Sequence, residues 1–169
     1  MTPLIAALIF LMFSKKKPTP AKKKGKRRQR NIQDILQWEP LVRSYASQHS
    51  WPANFSPVAF GLATIDHETG GTGQPDLISA LNKNGSRDYG LFQNNDRYFE
   101  ERGLTKASAL DSDESTKAGM NLIAKLAKKH NGDVAKMASA YNAGHVTSSN
   151  QPYADLTVAL YAKYKKAIA

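Results

Sequence analysis

The 169-residue chain contains no cysteine. That excludes disulfide frameworks, thiolate nucleophiles, thiolate zinc sites and iron–sulfur clusters. It leaves the compartment open, because a domain of this size can be stable without cross-links. Acidic residues are missing from residues 15–30, which carry ten Lys/Arg, whereas the remaining 14 Lys/Arg are balanced by 14 Asp/Glu. The net charge of +10 therefore belongs to one segment and the body is formally neutral, so the charge does not argue for a nucleic-acid-binding domain. The basic run also lacks aromatic residues and offers no platform for base stacking. Alternating strand patterns are scarce and no internal repeat is present. With 41% hydrophobic and 22% charged residues, the chain reads as one globular domain with an appendage. Whole-chain disorder, collagen and a polytopic membrane protein are excluded.

Residues 3–13 (PLIAALIFLMF) are an unbroken apolar run. As a helix it would be about 17 Å long, against a hydrocarbon core of roughly 30 Å. It has no charged segment before it and no A-x-A-like cleavage site after it. Residues 1–14 are expected to form an uncleaved membrane anchor, or else a signal segment. Residues 15–32 are expected to be a basic, extended linker, since like charges repel. Its partners would be anionic lipid or nucleic acid, or it is a solvated spacer that fixes topology.

Residues 33–169 carry mostly helical periodicity, which predicts a mainly α fold. Ile35, Trp38, Leu41, Val42, Tyr45 and Ala46 share a helical face, which Pro40 divides into two short helices. Ser56-Pro57 reads as an N-cap and first-turn proline, starting an apolar helix that stops near Gly70-Gly71. Residues 72–88 read as a loop. Caps at Asp111 to Asp113 start a helix that ends at Asn131-Gly132, and further helices are expected at about 133–142 and 153–168.

Three segments can carry chemistry. Glu68 lies at the C-terminal end of an apolar helix, where the helix dipole and a pocket would both disfavour its anion and suit it to general acid catalysis. Alternatively it is a surface glutamate just past a helix end. His67-Glu68 does not extend to a zinc motif, because position 71 is Gly71, and His49, His130 and His145 add no ligand spacing. No metal or cofactor is expected. In Asp88-Tyr89-Gly90-Leu91-Phe92-Gln93-Asn94-Asn95, Gly90 permits close backbone approach. The amides of Gln93, Asn94 and Asn95 suit sugar hydroxyls and N-acetyl groups, or the segment is a polar turn. The third segment, Ala140-Tyr141-Asn142-Ala143-Gly144, ends a helix of small residues with a phenol and an amide.

Taken in order, Glu68-Thr69, Gly90-Leu91-Phe92-Gln93 and Ala140-Tyr141-Asn142-Ala143-Gly144 resemble the lytic transglycosylase domain of the lysozyme superfamily. The resemblance spans about residues 33–165 and is closest in motif style to conjugation-, secretion- or phage-associated members. It implies a lysozyme-like helical domain with a two-lobed glycan cleft. It implies peptidoglycan as substrate, and the β-1,4 bond from N-acetylmuramic acid to N-acetylglucosamine as the bond cleaved, with a 1,6-anhydro product. By the same resemblance Glu68 is the catalytic acid/base, and Tyr141 supplies a hydroxyl that contacts it. Gln93 and Asn142 touch the glycan, and Gly90, Leu91 and Phe92 form a cleft wall. Thr69, standing where serine is usual, and Asn95 are placed with the substrate-binding residues. Phe92 replaces a methionine. Goose-type lysozymes place an aspartate where this chain has Asn95, which favours a transglycosylase.

Two other readings remain. A hydrolytic muramidase would need a second carboxylate, for which Asp76, Asp88 and Asp96 are candidates. A non-catalytic glycan-binding module would keep the fold alone. The expected location is membrane-associated at the bacterial envelope. The lysines after the apolar run favour a cytoplasmic tail, a tension that a phage virion membrane or a conjugation or secretion apparatus would resolve.

Overall fold

The computed structural model describes residues 31–169. The expected anchor at 1–14 and the basic run at 15–30 lie outside the described residues. Among the described residues, no helix is long and apolar enough to cross a membrane.

The chain is mainly helical. Two short helices, α1 (Gln33–Leu36) and α2 (Glu39–Ala46), are divided at Trp38, with Pro40 in the first turn of α2. Helix α3 (Pro57–Glu68) starts where expected, and the Ser56 hydroxyl accepts from the Ala59 amide at 3.4 Å. A long loop leads to a hairpin, β1 (Asp88–Tyr89) and β2 (Asn94–Asn95). Two short helices follow, α4 (Phe99–Arg102) and α5 (Lys106–Leu110). Then come α6 (Ser112–His130), α7 (Val134–Ala143) and α8 (Gln151–Ala167). Asp111 caps α6 through the amides of Asp113 and Glu114, and Asn131 closes it in the left-handed conformation.

The hairpin and helices α4 and α5 are not signalled by periodicity, because each is too short to repeat a pattern. The loop before the hairpin is also less irregular than its composition suggests. Ile78 pairs antiparallel with Tyr89, the Ser79 amide donates to the Asp88 carbonyl, and the Gly90 amide donates to the Leu77 carbonyl.

Two apolar clusters correspond to two lobes. The larger unites α2, α3, α6, α7 and α8 around Phe60, Leu62, Ile65, Met120, Ile123 and Tyr164. Each such side chain contributes about 1.5–3 kcal/mol by burial. The smaller joins Tyr89, Phe99, Leu104, Ala109 and Ala118. Helix α6 supplies both clusters and is the wall they share. Helix α3 is buried continuously from Val58 to Asp66, so no face of it is left to solvent. Its polar residue Asp66 is tied to α8, accepting from the Tyr164 hydroxyl at 2.7 Å.

Phe92 is fully buried beside Gly119 of α6. A Cβ at Gly119 would stand 2.2 Å from the Phe92 ring, and both ring and helix are fixed by packing. Gly119→Ala is therefore expected to cost about 1–3 kcal/mol by overpacking. Urea unfolding of the variant against the parent checks this.

Candidate active site

Helix α3 delivers Glu68 to its own C-terminal end, where the chain leaves the core. The carboxyl lies in a cleft of about 590 Å³ between the lobes. The hairpin side supplies Asn82, Asp88, Gln93 and Asn95; the α4 side supplies Tyr98 and Arg102. Leu122 and Leu126 of α6 form the floor, and Tyr141 and Asn142 at the end of α7 close the far side.

Burial pushes the Glu68 carboxyl up to about 7 from the ordinary glutamate value of 4.5. Two smaller effects oppose one another. The Tyr153 hydroxyl donates a hydrogen bond to Glu68 Oε1, which favours the anion, while the negative charge of Asp88 disfavours it. Glu68 is thus poised to hold a proton near neutrality and to release it once the charge around it changes.

The hydroxyl partner of Glu68 is Tyr153 of α8, not Tyr141. Tyr141 lines the cleft, but its hydroxyl donates to the Phe92 carbonyl at 2.8 Å. It locks α7 onto the hairpin turn. Tyr141 and Tyr153 both titrate well above the ordinary phenol range, because burial and the Glu68 charge penalise their anions. Tyr153 is positioned in turn by His67, whose ring stacks on it with centroids 3.9 Å apart. His67 Nδ1 is bonded to the Thr157 hydroxyl at 2.8 Å. A sequence signal for Tyr153 existed. Tyr153, Thr157, Leu160 and Tyr164 recur at helical spacing and mark the inward face of α8.

The structure divides the other expected site residues. Glu68, Gln93, Asn95, Tyr141 and Asn142 line the cleft. Thr69, Gly90, Leu91, Phe92 and Asn94 do not; the buried Asn94 amide donates to the Ser115 carbonyl and accepts from Arg102 instead. Thr69 is buried, donating to the Ile65 carbonyl at 2.6 Å and accepting from the Gly73 amide at 2.9 Å; its hydroxyl fixes the turn after α3. Leu91 and Phe92 point into the core rather than forming a cleft wall. The cause is the hairpin turn. Positive φ at Gly90 (77°) and Gln93 (43°) swings residues 91–92 inward. A side chain at Gly90 would also collide with the Ala109 carbonyl, 2.0 Å from where its Cβ would lie.

The polar residues of the hairpin first hold one another. Gln93 Nε2 donates to the carbonyls of Gly90 (2.8 Å) and Leu77 (3.1 Å). Asn95 Nδ2 donates to Asp88 Oδ1 at 2.6 Å, and Asn82 Nδ2 donates to Asp88 Oδ2 at 3.0 Å. Of the three aspartates considered as second carboxylates, Asp88 lines the cleft; Asp76 is exposed on the loop, and Asp96 accepts from the Arg87 amide at 3.1 Å.

The site is thus a half-buried acid between two lobes, with amides on one wall. The family described as "Transglycosylase SLT domain" matches residues 59–155. That stretch runs from α3 into α8 and includes Glu68, the hairpin, Tyr141 and Tyr153. The chain belongs to this family, within the lysozyme-like superfamily. It is also similar over short stretches to insect lysozymes. A lysozyme of Hyalophora cecropia is 63% identical over 30 residues, which are 18% of this chain and 22% of that protein. A lysozyme of Antheraea mylitta is 63% identical over 30 residues, 18% of this chain and 25% of that protein. The matched stretch spans at most a quarter of these relatives.

Because the folded chain holds the Glu68 proton to about 7 and the unfolded chain releases it near 4.5, folding loses stability as pH rises between those values. Glu68→Gln removes that loss. The variant is expected to match the parent below about pH 4.5 and to exceed it by about 3 kcal/mol above pH 7. Urea unfolding at pH 4 and pH 8 measures the difference.

Proposed function

We propose that the chain is a lytic transglycosylase that cleaves the β-1,4 bond between N-acetylmuramic acid and N-acetylglucosamine in peptidoglycan. The observation that carries the reading is Glu68, one buried carboxyl in the cleft with its proton held to about 7. Glu68 donates that proton to the glycosidic oxygen as the bond breaks, and the N-acetylglucosamine side leaves as an alcohol. The resulting carboxylate then accepts the proton of the muramoyl C6 hydroxyl, whose oxygen closes on C1 as a 1,6-anhydro ring. The cycle ends with Glu68 protonated again. An intramolecular nucleophile supplies proximity without a second activated group. Tyr153 holds the carboxyl in place and supports its anionic stage.

A second reading is favoured by one observation, Asp88. It faces the same cleft, and its charge is felt at Glu68. Hydrolysis to a reducing muramic acid end would use Glu68 as acid and Asp88 as the second carboxylate. The raised titration of Glu68 argues against a purely glycan-binding module, which has no use for a buried acid. The order of apolar run, basic run and domain supports an envelope location with the enzyme tethered through residues 1–14. Residues 15–30 would then meet anionic lipid or nucleic acid. Local wall opening, by a phage particle or by a conjugation or secretion apparatus, is the setting this order fits.

Mass spectrometry of digested peptidoglycan separates the readings. The expected products end in 1,6-anhydromuramic acid, lighter by one water than hydrolytic products and not reducible by borohydride; reducing ends would establish hydrolysis. Glu68→Gln is expected to lower turnover by at least about 100-fold in a folded chain, and near-parental turnover would refute its role. Asp88→Asn is expected to keep turnover within about threefold for the transglycosylase; a far larger loss would mark the hydrolase. Activity should fall on the alkaline side with an apparent pKa of about 7. Since the Tyr153 bond favours the Glu68 anion, Tyr153→Phe should move that limb to higher pH. A pH–rate profile of each protein reads the shift.

A further inference from the structure

A second concavity, of about 730 Å³, runs along α6 beside the catalytic cleft. The two are neighbours across one partition, since Glu101, Arg102 and Leu122 line both. The far wall of the groove comes from the segment between α2 and α3. Trp51 is fixed there by the hydrogen bond from its Nε1 to the Ala46 carbonyl (2.7 Å) and by edge contact with His49. The floor between Trp51 and Leu122 is apolar, with Pro52, Ala118 and Ala124, and the volume is that of a ligand site.

The rim is basic. Lys125 and Lys128 stand three residues apart on α6, so they share a helix face. Arg102 closes the cleft end, its guanidinium held by the Asn94 side-chain oxygen at 2.9 Å and lying over the Tyr98 ring. One acid opposes them, Glu101, which pairs with Lys125 at 3.6 Å. Both partners are mostly exposed, at 66% and 70%, so this pair is weak and exchangeable for an incoming carboxylate.

We propose that this groove is a subsite for the peptide stem of peptidoglycan, an inference that rests on the function proposed above. The amino sugars of the strand carry no net charge, and the muramoyl lactyl group is neutralised by its amide to the stem. The stem itself carries several carboxylates on a chain with apolar stretches. A groove that branches from the glycan cleft, with an apolar floor and lysines on its rim, complements the stem and not the sugar backbone. The enzyme then discriminates stem-bearing strands from bare glycan, and the preference weakens as salt screens the exposed lysines.

The test uses the full-length chain and its Lys125→Glu/Lys128→Glu variant. Both are assayed on stem-bearing peptidoglycan and on glycan stripped of stems by an amidase, with the freed lactyl carboxylates capped as simple amides so that the control stays uncharged. The variant is expected to lose about tenfold in kcat/KM on the stem-bearing substrate and to match the parent on stripped glycan. Calorimetry with a soluble muramoyl tetrapeptide should show binding to the parent that the variant loses. An equal loss on both substrates would mean that the groove holds sugars, and no change in either measurement would mean that it holds nothing; each overturns the proposal. If the parent cleaves neither substrate, the proposed function fails and the calorimetry decides the subsite independently.

Discussion

Glu68 emerges from a helix that has no solvent face. Residues Val58 to Asp66 of α3 are buried against α1, α2, α6 and α8, so the position and direction of the last turn are set by core packing. A carboxyl carried there is half-buried at the cleft. Its proton affinity, its bond to Tyr153 and its place opposite the hairpin all follow from that burial. The site is precise because the scaffold under it is the core itself, not a loop.

The opposite wall is built differently. It is a short hairpin whose side chains largely satisfy one another: Asn82, Ser86, Asp88 and Asn95 form one hydrogen-bonded set, and Gln93 bridges two carbonyls. Such a network holds its donors and acceptors in fixed directions. Tyr141 links the two walls through the Phe92 carbonyl, so the end of α7, the hairpin turn and the Phe92–Gly119 contact form one connected support. Asp88 sits within this wall, its carboxylate accepting from both Asn82 and Asn95.

Much of this was legible in the residues. The caps at Ser56 and Asp111, the stop at Asn131 and the apolar course of α3 each have a local chemical cause, and the structure places those boundaries where that chemistry predicts. Glu68 at the end of α3 was legible for the same reason. The direction of side chains in the glycine-rich segment was not. Leu91 and Phe92 follow a recognisable motif, but whether they face cleft or core depends on positive φ at Gly90 and Gln93 and on space opened by Gly119, thirty residues or so further along the chain. The partner of Glu68 was assigned to Tyr141 because both belong to motifs. Tyr153 holds that place because the packing of α8 on α3 brings it there, a tertiary fact that only the inward periodicity of α8 foreshadows.

The account stands on the proton affinity of one side chain. Carbon-detected NMR titration of glutamate carboxyls in the full-length chain, with Glu68→Gln to assign the resonance, reads it directly. The account predicts that the Glu68 carboxyl titrates at about 7. Titration at the ordinary glutamate value, near 4.5, would contradict it and remove the basis for Glu68 as the acid.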